Sequence, residues 1–232
     1  MITSRQNEKV RLVRKLLSAR KHRDDSGLFA VESEDLVDAA LAEGIEPAEM
    51  LLAGENIEAQ LLAEVSTLGH APRVIGVFRQ DDLPRGLRDV TLALWRLGDP
   101  GNVGTLIRTA DAFGAAVALS DGCADPLGPR ALRASAGAIF RVPLVPWDDA
   151  GGRRIALVAH GGEPLAEVDL EPPVALLLGA EREGLPADVV AQSHKAATIP
   201  LPGAAESLNV AAAGAIALYE LSRKAQKKPP PC

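Results

Sequence analysis

The chain has 232 residues, 47% apolar and 24% charged, which is an ordinary globular composition with enough length to bury a substantial core. Aromatic residues make up only 3%, which fits a core of Ala, Leu and Val and excludes a platform of exposed rings for stacking single-stranded RNA. The formal charge of −6 argues at first against a nucleic-acid partner, but residues 1–23 alone carry +7 and the remainder −13, and affinity for phosphates follows the local patch and not the sum.

In chain order, the basic segment reads as an amphipathic helix. Val10, Val13, Leu16 and Leu17 recur at helical spacing, while Arg11, Arg14 and Lys15 point elsewhere. Ser4 is the expected N-cap. The bland reading of such a run is a solvated helix face. Residues 24–72 then hold twelve acids and no Lys or Arg. Within them, Gly27–Val31 is a short apolar run after a turn, and a helix through Leu36, Val37, Ala40 and Leu41 ends at Gly44. Strands are expected at Met50–Leu52 and Val74–Phe78, with a helix around Ile57–Val65 between them. This is a small α/β unit of about 85 residues, closed by the breakers Leu83-Pro84-Arg85-Gly86.

Beyond that boundary the rhythm is more regular. Strands are expected at Thr91–Leu97, Ala115–Leu119, Ile155–Ala159 and Val174–Leu178, alternating with helices at 103–113, around 130–137, 186–193 and 208–224. Unalternating apolar strands separated by helices indicate a parallel sheet covered on both faces. Ligands then bind outside the carboxyl ends of the strands. The tail with Pro229-Pro230-Pro231 is expected to be disordered over 229–232. The longest uncharged stretch, Ser207–Tyr219, has 13 residues, too few to span a bilayer. With no apolar leader, and with Cys123 and Cys232 forming neither a disulfide framework nor a zinc site, a cytoplasmic protein is expected.

Three loops carry the chemistry. The first, Asp99-Pro100-Gly101-Asn102-Val103-Gly104, opens a helix whose apolar stripe is Val103, Leu106, Ile107 and Ala110. Asn102 is a candidate cap for it, and Arg108 lies off the stripe near Thr105 and Asp111, free to face a groove. Taken alone, an arginine such as Arg108 is more often a surface charge than a catalytic group. The second loop, Gly179-Ala180-Glu181-Arg182-Glu183-Gly184, follows a buried strand, and its glycines allow close approach of a backbone to a ligand. Its bland reading is a helix N-terminal turn. The third, Ile199-Pro200-Leu201-Pro202-Gly203 through Glu206-Ser207-Leu208-Asn209, runs into an Ala-rich helix that Ser207 or Asn209 caps. The full dinucleotide-binding glycine fingerprint is absent, which disfavours a Rossmann-type enzyme.

In this order and strand context the three loops resemble the signature motifs of the SpoU/TrmH family of RNA ribose 2′-O-methyltransferases, in the SPOUT superfamily. Arg20-Lys21-His22-Arg23 through Val31-Glu32 resembles the family's N-terminal substrate-binding domain, and Cys123–Pro126 through Arg133–Gly137 a segment between the first two motifs. The resemblance implies an α/β SPOUT domain with a trefoil knot at 89–228, a ribosomal-protein-like RNA-binding domain at 1–88, and a homodimer in which both subunits contribute to the active site. It implies S-adenosyl-L-methionine held by Gly179, Ile199, Leu201, Leu208 and Asn209, with no metal. It assigns Asn102, Arg108, Glu181, Ser207 and Asn209 to catalysis, and Arg20, Lys21 and Arg23 are the expected RNA contacts.

The resemblance implies that Arg108 acts either as the group that takes the hydroxyl proton or as a lasting cation that holds a phosphate and stabilises the developing alkoxide. Ribosomal RNA is the expected substrate. A tRNA-directed enzyme, an antibiotic-resistance methyltransferase and a non-catalytic RNA-binding protein are the alternatives. Four residues depart from the family pattern: Leu201 for Met, Ser33 for a Gly that would suit positive φ, and Ala211-Ala212 for Ser-Val.

Overall fold

The computed structural model describes residues 1–227, so the tail segment 229–232 lies outside the described residues. Helix α1 (Glu8–Ser18) buries Val10, Val13, Leu16 and Leu17 on one face. Its N-cap is Asn7, whose side chain accepts the Lys9 N–H at 3.0 Å; Ser4 lies further out, bonded to the Gln6 amide. Both are good capping residues, and adjacency to the first helical turn decides between them. Helix α2 (Arg20–Ser26) ends where Gly27 takes φ 66°. Then come β1 (Leu28–Glu32), α3 (Glu34–Ala42), β2 (Glu49–Leu52), α4 (Ala59–Val65) and β3 (Val74–Arg79). The three strands form an antiparallel sheet in the order β1-β3-β2, with Phe29 opposite Phe78.

The second half contains β4 (Val90–Leu94), α5 (Pro100–Ala112), β5 (Ala116–Leu119), α6 (Pro129–Ser135), β6 (Leu144–Pro146), β7 (Arg153–Leu157) and β8 (Glu163–Pro164). It closes with β9 (Val174–Leu178), α7 (Ala187–Ala191), β10 (Lys195–Thr198) and α8 (Val210–Lys227). Seven strands in the order β6-β5-β4-β9-β7-β10-β8 make one sheet with every pairing parallel, as the sequence pattern indicated. Strands β4 and β7 stop at Leu94 and Leu157, earlier than expected, and release the loops that follow them. Helix α5 begins at Pro100 and is capped by Asp99, which accepts the amides of Gly101 (2.7 Å) and Asn102 (3.0 Å). Asn102 is therefore inside the first turn, which frees its side chain for other partners.

The two sheets share one core. Phe29, Phe78 and Phe140 pack together with ring centroids 5.8–6.3 Å apart, and their cluster is continuous with Leu92, Leu94, Leu106 and Ile107. A smaller cluster fills the space between the three-stranded sheet and helices α1 and α4. Ion pairs tie the halves further: Arg23–Asp125 at 2.5 Å, Arg133–Glu32 at 3.5 Å and Arg141–Glu43 at 3.6 Å. Among the described residues, no helix is long and apolar enough to cross a membrane.

Candidate functional site

Parallel strands β7, β9 and β10 end side by side, and the loops they release enclose a cleft of about 560 Å³. That volume is in the range of sites that take small organic ligands. Its floor is apolar (Leu157, Leu178, Ala197, Ile199, Leu201, Val210) and its rim polar (His160, Glu181, Arg182, Glu206, Ser207, Asn209). Gly179, Ile199, Leu201, Leu208 and Asn209, the expected cofactor contacts, all line it. Gly179 explains its own identity: a Cβ there would overlap the backbone of Gly184 and Leu185, within 2.5 Å of the Gly184 oxygen. The loop folds back tightly because Ala180 and Gly184 exchange amide–carbonyl bonds of 3.1 and 2.9 Å, with Gly184 at φ 66°.

The three motif loops meet at one hydrogen-bond network. Asn102 Nδ2 donates to Glu181 Oε1 at 3.1 Å, and Asn209 Nδ2 donates to Asn102 Oδ1 at 3.1 Å. Asn209 Oδ1 also accepts the amides of Ala211 (2.8 Å) and Ala212 (3.3 Å), so Asn209, not Ser207, caps α8. The Glu181 carboxylate takes the Asp99 and Gly98 amides at 3.2 and 3.4 Å as well. Burial pushes its pKa up, but the bonds from Asn102 and from the backbone amides of Glu181, Asp99 and Gly98 outweigh it and hold the group below its ordinary value. It stays a charged anchor that pins the first loop to the second. Ser207 sits exposed on the rim.

Arg108 stands apart from this network. It lies six residues further along α5 than Asn102, about 1.7 turns, exposed, and does not line the cleft. The neighbouring Thr105 and Thr109 turn their hydroxyls back to the Gly101 and Thr105 carbonyls, at 2.7 and 2.8 Å. Asp111, expected beside it, instead binds Arg141 at 2.7 Å. Among the described residues Arg108 has no ion-pair partner.

The expected RNA contacts divide. Lys21 is exposed, and Arg20 is exposed while bridging Asp24 at 3.3 Å. Arg23 is a correction: it is 5% exposed, bonded to Asp125 and to the Leu16 carbonyl, and so is a structural clasp with no face left for a phosphate. Sequence reasoning also missed Glu32, buried and bonded to Ser66, Thr67 and Arg133, and the packing of Trp95 on Trp147 at 5.1 Å. Neither has a local signal, since the partners lie far apart in the chain. Ser33 does take positive φ, 120°, where glycine is the comfortable residue.

Comparison with known proteins follows the same lines. Residues 89–219 match the model of the SpoU rRNA Methylase family. A 23S rRNA (guanosine(2553)-2′-O)-methyltransferase, RlmP of Bacillus subtilis, is 32% identical over 95% of this chain and 98% of its own. A 23S rRNA (uridine(2479)-2′-O)-methyltransferase of Streptomyces viridochromogenes is 34% identical over 71% of this chain and 65% of its own. Among solved structures, an AdoMet-bound rRNA methyltransferase of Sinorhizobium meliloti superposes with a TM-score of 0.84 at 30% identity, covering 96% of this chain and 97% of that one.

Proposed function

The chain belongs to the SpoU rRNA methylase family, and from that membership we propose that it methylates a ribose 2′-hydroxyl of ribosomal RNA with S-adenosyl-L-methionine as donor. The observation that carries the reading is the Asn102–Glu181–Asn209 network, which joins three loops distant in sequence at the mouth of one cleft. The cleft fits the donor: an apolar floor for a flat heterocycle, polar groups around its rim, and a backbone approach at Gly179 that admits no side chain. Bound there, the donor supplies a methyl on a sulfonium that leaves as a neutral thioether.

The chain must supply alignment and a setting in which the 2′-oxygen can lose its proton. Glu181 and Asn102 are occupied in holding the loops and act as positioning residues; Ser207 and Asn209 form the near rim. Arg108, exposed and unpaired, serves as a standing cation, because a guanidinium is almost never deprotonated. It holds an RNA phosphate and stabilises negative charge growing on the 2′-oxygen. Since Arg108 does not line the cleft of its own subunit, we place it in the cleft of a second subunit. Helix α8 packs beside α5 and leaves Ala212, Ile216 (39% exposed) and Tyr219 (60% exposed) facing outward at helical spacing, an apolar seam suited to a homodimer.

The 1–88 unit is proposed to grip RNA phosphates through the exposed cations Arg11, Arg14, Lys15, Arg20 and Lys21. Two relatives of similar identity modify a guanosine and a uridine respectively, which favours target choice by RNA shape over reading of the base. In a methyl-transfer assay on an unmodified 23S ribosomal RNA transcript, Arg108→Ala is expected to abolish transfer while calorimetry still finds donor binding. Mixing it with an Asn209→Ala variant is expected to restore part of the activity through mixed dimers. Full activity of Arg108→Ala alone would overturn the assignment.

A further inference from the structure

Arg96 holds a backbone conformation that its side chain makes costly. It lies two residues past the end of β4 and sits at φ 48°, the left-handed region that glycine enters freely. Its amide is fixed by the Ser120 hydroxyl at 2.8 Å. Its stem lies over Gly122, where a Cβ would come within 3.3 Å of the Arg96 Cγ, so a bare glycine leaves room for it. The guanidinium rests over the Trp95 ring, 5.6 Å from the centroid. Trp95 meets Trp147 edge-on at 5.1 Å, and Arg154 covers Trp147 from beyond at 5.6 Å. Both tryptophans of the chain thus go into a ladder of two rings with a cation at each end.

The ladder ends beside the site. Two residues after Arg96, the Gly98 amide donates to Glu181. Arg154 spends a bond on the Trp147 carbonyl (3.4 Å), and the nearby Arg130 is 3.5 Å from Asp99. Arg96 is exposed, and among the described residues its guanidinium has no hydrogen-bond or ion-pair partner. A strained, pre-oriented and uncompensated cation two residues from the Gly98–Glu181 bond marks a ligand contact better than a packing role, because glycine would build the same turn without strain.

Resting on the RNA-methyltransferase reading above, we propose that Arg96, held by Trp95, binds a backbone phosphate of the substrate strand and positions the target ribose over the cleft. The test compares wild type, Arg96→Gly and Arg96→Lys on an unmodified 23S ribosomal RNA transcript, measuring RNA affinity over a salt series, donor affinity by calorimetry, and thermal melting. Arg96→Gly is expected to bind RNA about threefold to tenfold more weakly, with the log–log salt slope reduced by about one contact, or roughly 0.7–0.9. Its melting temperature is expected to stay level or rise, and its donor affinity to stay at the wild-type value. Arg96→Lys keeps the charge and is expected to keep most of the slope. An Arg96→Gly protein that melts lower and binds RNA with the wild-type slope would assign Arg96 a purely structural role and overturn the proposal. A wild-type enzyme that leaves the transcript unmethylated would instead overturn the functional reading beneath it.

Discussion

Replacing Arg23 by Ala tests whether this base is a clasp or an RNA contact. Its side chain is 6% exposed and that of Asp125 15%, with two guanidinium nitrogens on one carboxylate oxygen at 2.5 and 2.7 Å. The same guanidinium also donates to the Leu16 carbonyl near the end of α1, and the Arg23 carbonyl accepts the Gln80 side-chain Nε2–H at 2.8 Å. Deleting one partner of a buried pair strands the other, at a cost of about 3–5 kcal/mol. Asp125 keeps a bond from the Leu127 amide (2.9 Å) and a trace of solvent, which sets the expectation near the lower end, about 3 kcal/mol. For a chain of this size that is a fall in Tm of roughly 6–12 °C. The assay is urea unfolding followed by circular dichroism, with the slope m checked for constancy. The double replacement Arg23→Met with Asp125→Leu removes both charges and is expected to recover most of the loss. If Arg23→Ala unfolds within about 0.5 kcal/mol of wild type and weakens RNA binding instead, the clasp assignment is wrong.

Two further perturbations address the turn chemistry. Gly179→Ala sets a methyl against the Gly184 backbone and breaks the paired Ala180–Gly184 bonds, with an expected loss in S-adenosyl-L-methionine affinity of about 1–3 kcal/mol, or roughly 5- to 150-fold; calorimetry showing wild-type affinity would contradict the tight-loop argument. Ser33 at φ 120° and ψ 148° occupies a region open essentially to glycine alone, and its side chain makes no capping bond. Ser33→Gly is therefore expected to stabilise the fold by about 1 kcal/mol after the added freedom of the unfolded chain is counted. A lower melting temperature for that variant would show that the strain is not there.

The local arguments worked where local physics decides. Val174–Leu178 is a strand because five apolar residues between breakers have no other home, and it was legible to the residue. Strand β10 (Lys195–Thr198) was not, because Lys-Ala-Ala-Thr has little strand character of its own and is fixed by β7 and β8 on either side. The cap of α5 turned on one residue type against another three positions away, and Pro100 at the first helical position was the signal that favours Asp99. The cleft residues were readable because Gly179 and Ile199 sit immediately after strand ends, and Leu208 and Asn209 at the mouth of the helix that follows. Arg23 was misread because its partner Asp125 lies 102 residues along the chain. Charge runs announce that bases are present and leave open which of them turn inward.

The shared core of Phe29, Phe78 and Phe140 carries a consequence for how a target is chosen. Because the first sheet cannot swing against the second without breaking that aromatic packing, the cations on α1 and α2 and the cleft at the ends of β7, β9 and β10 are separated by a constant span. On the proposed function, the protein would work as a calliper with one jaw on the phosphates and the other on a single ribose. A nucleotide would then be selected by how far it stands from the gripped backbone in the folded RNA, and altering the hinge-less joint between the jaws would shift the methylated position without touching any group assigned to the chemistry.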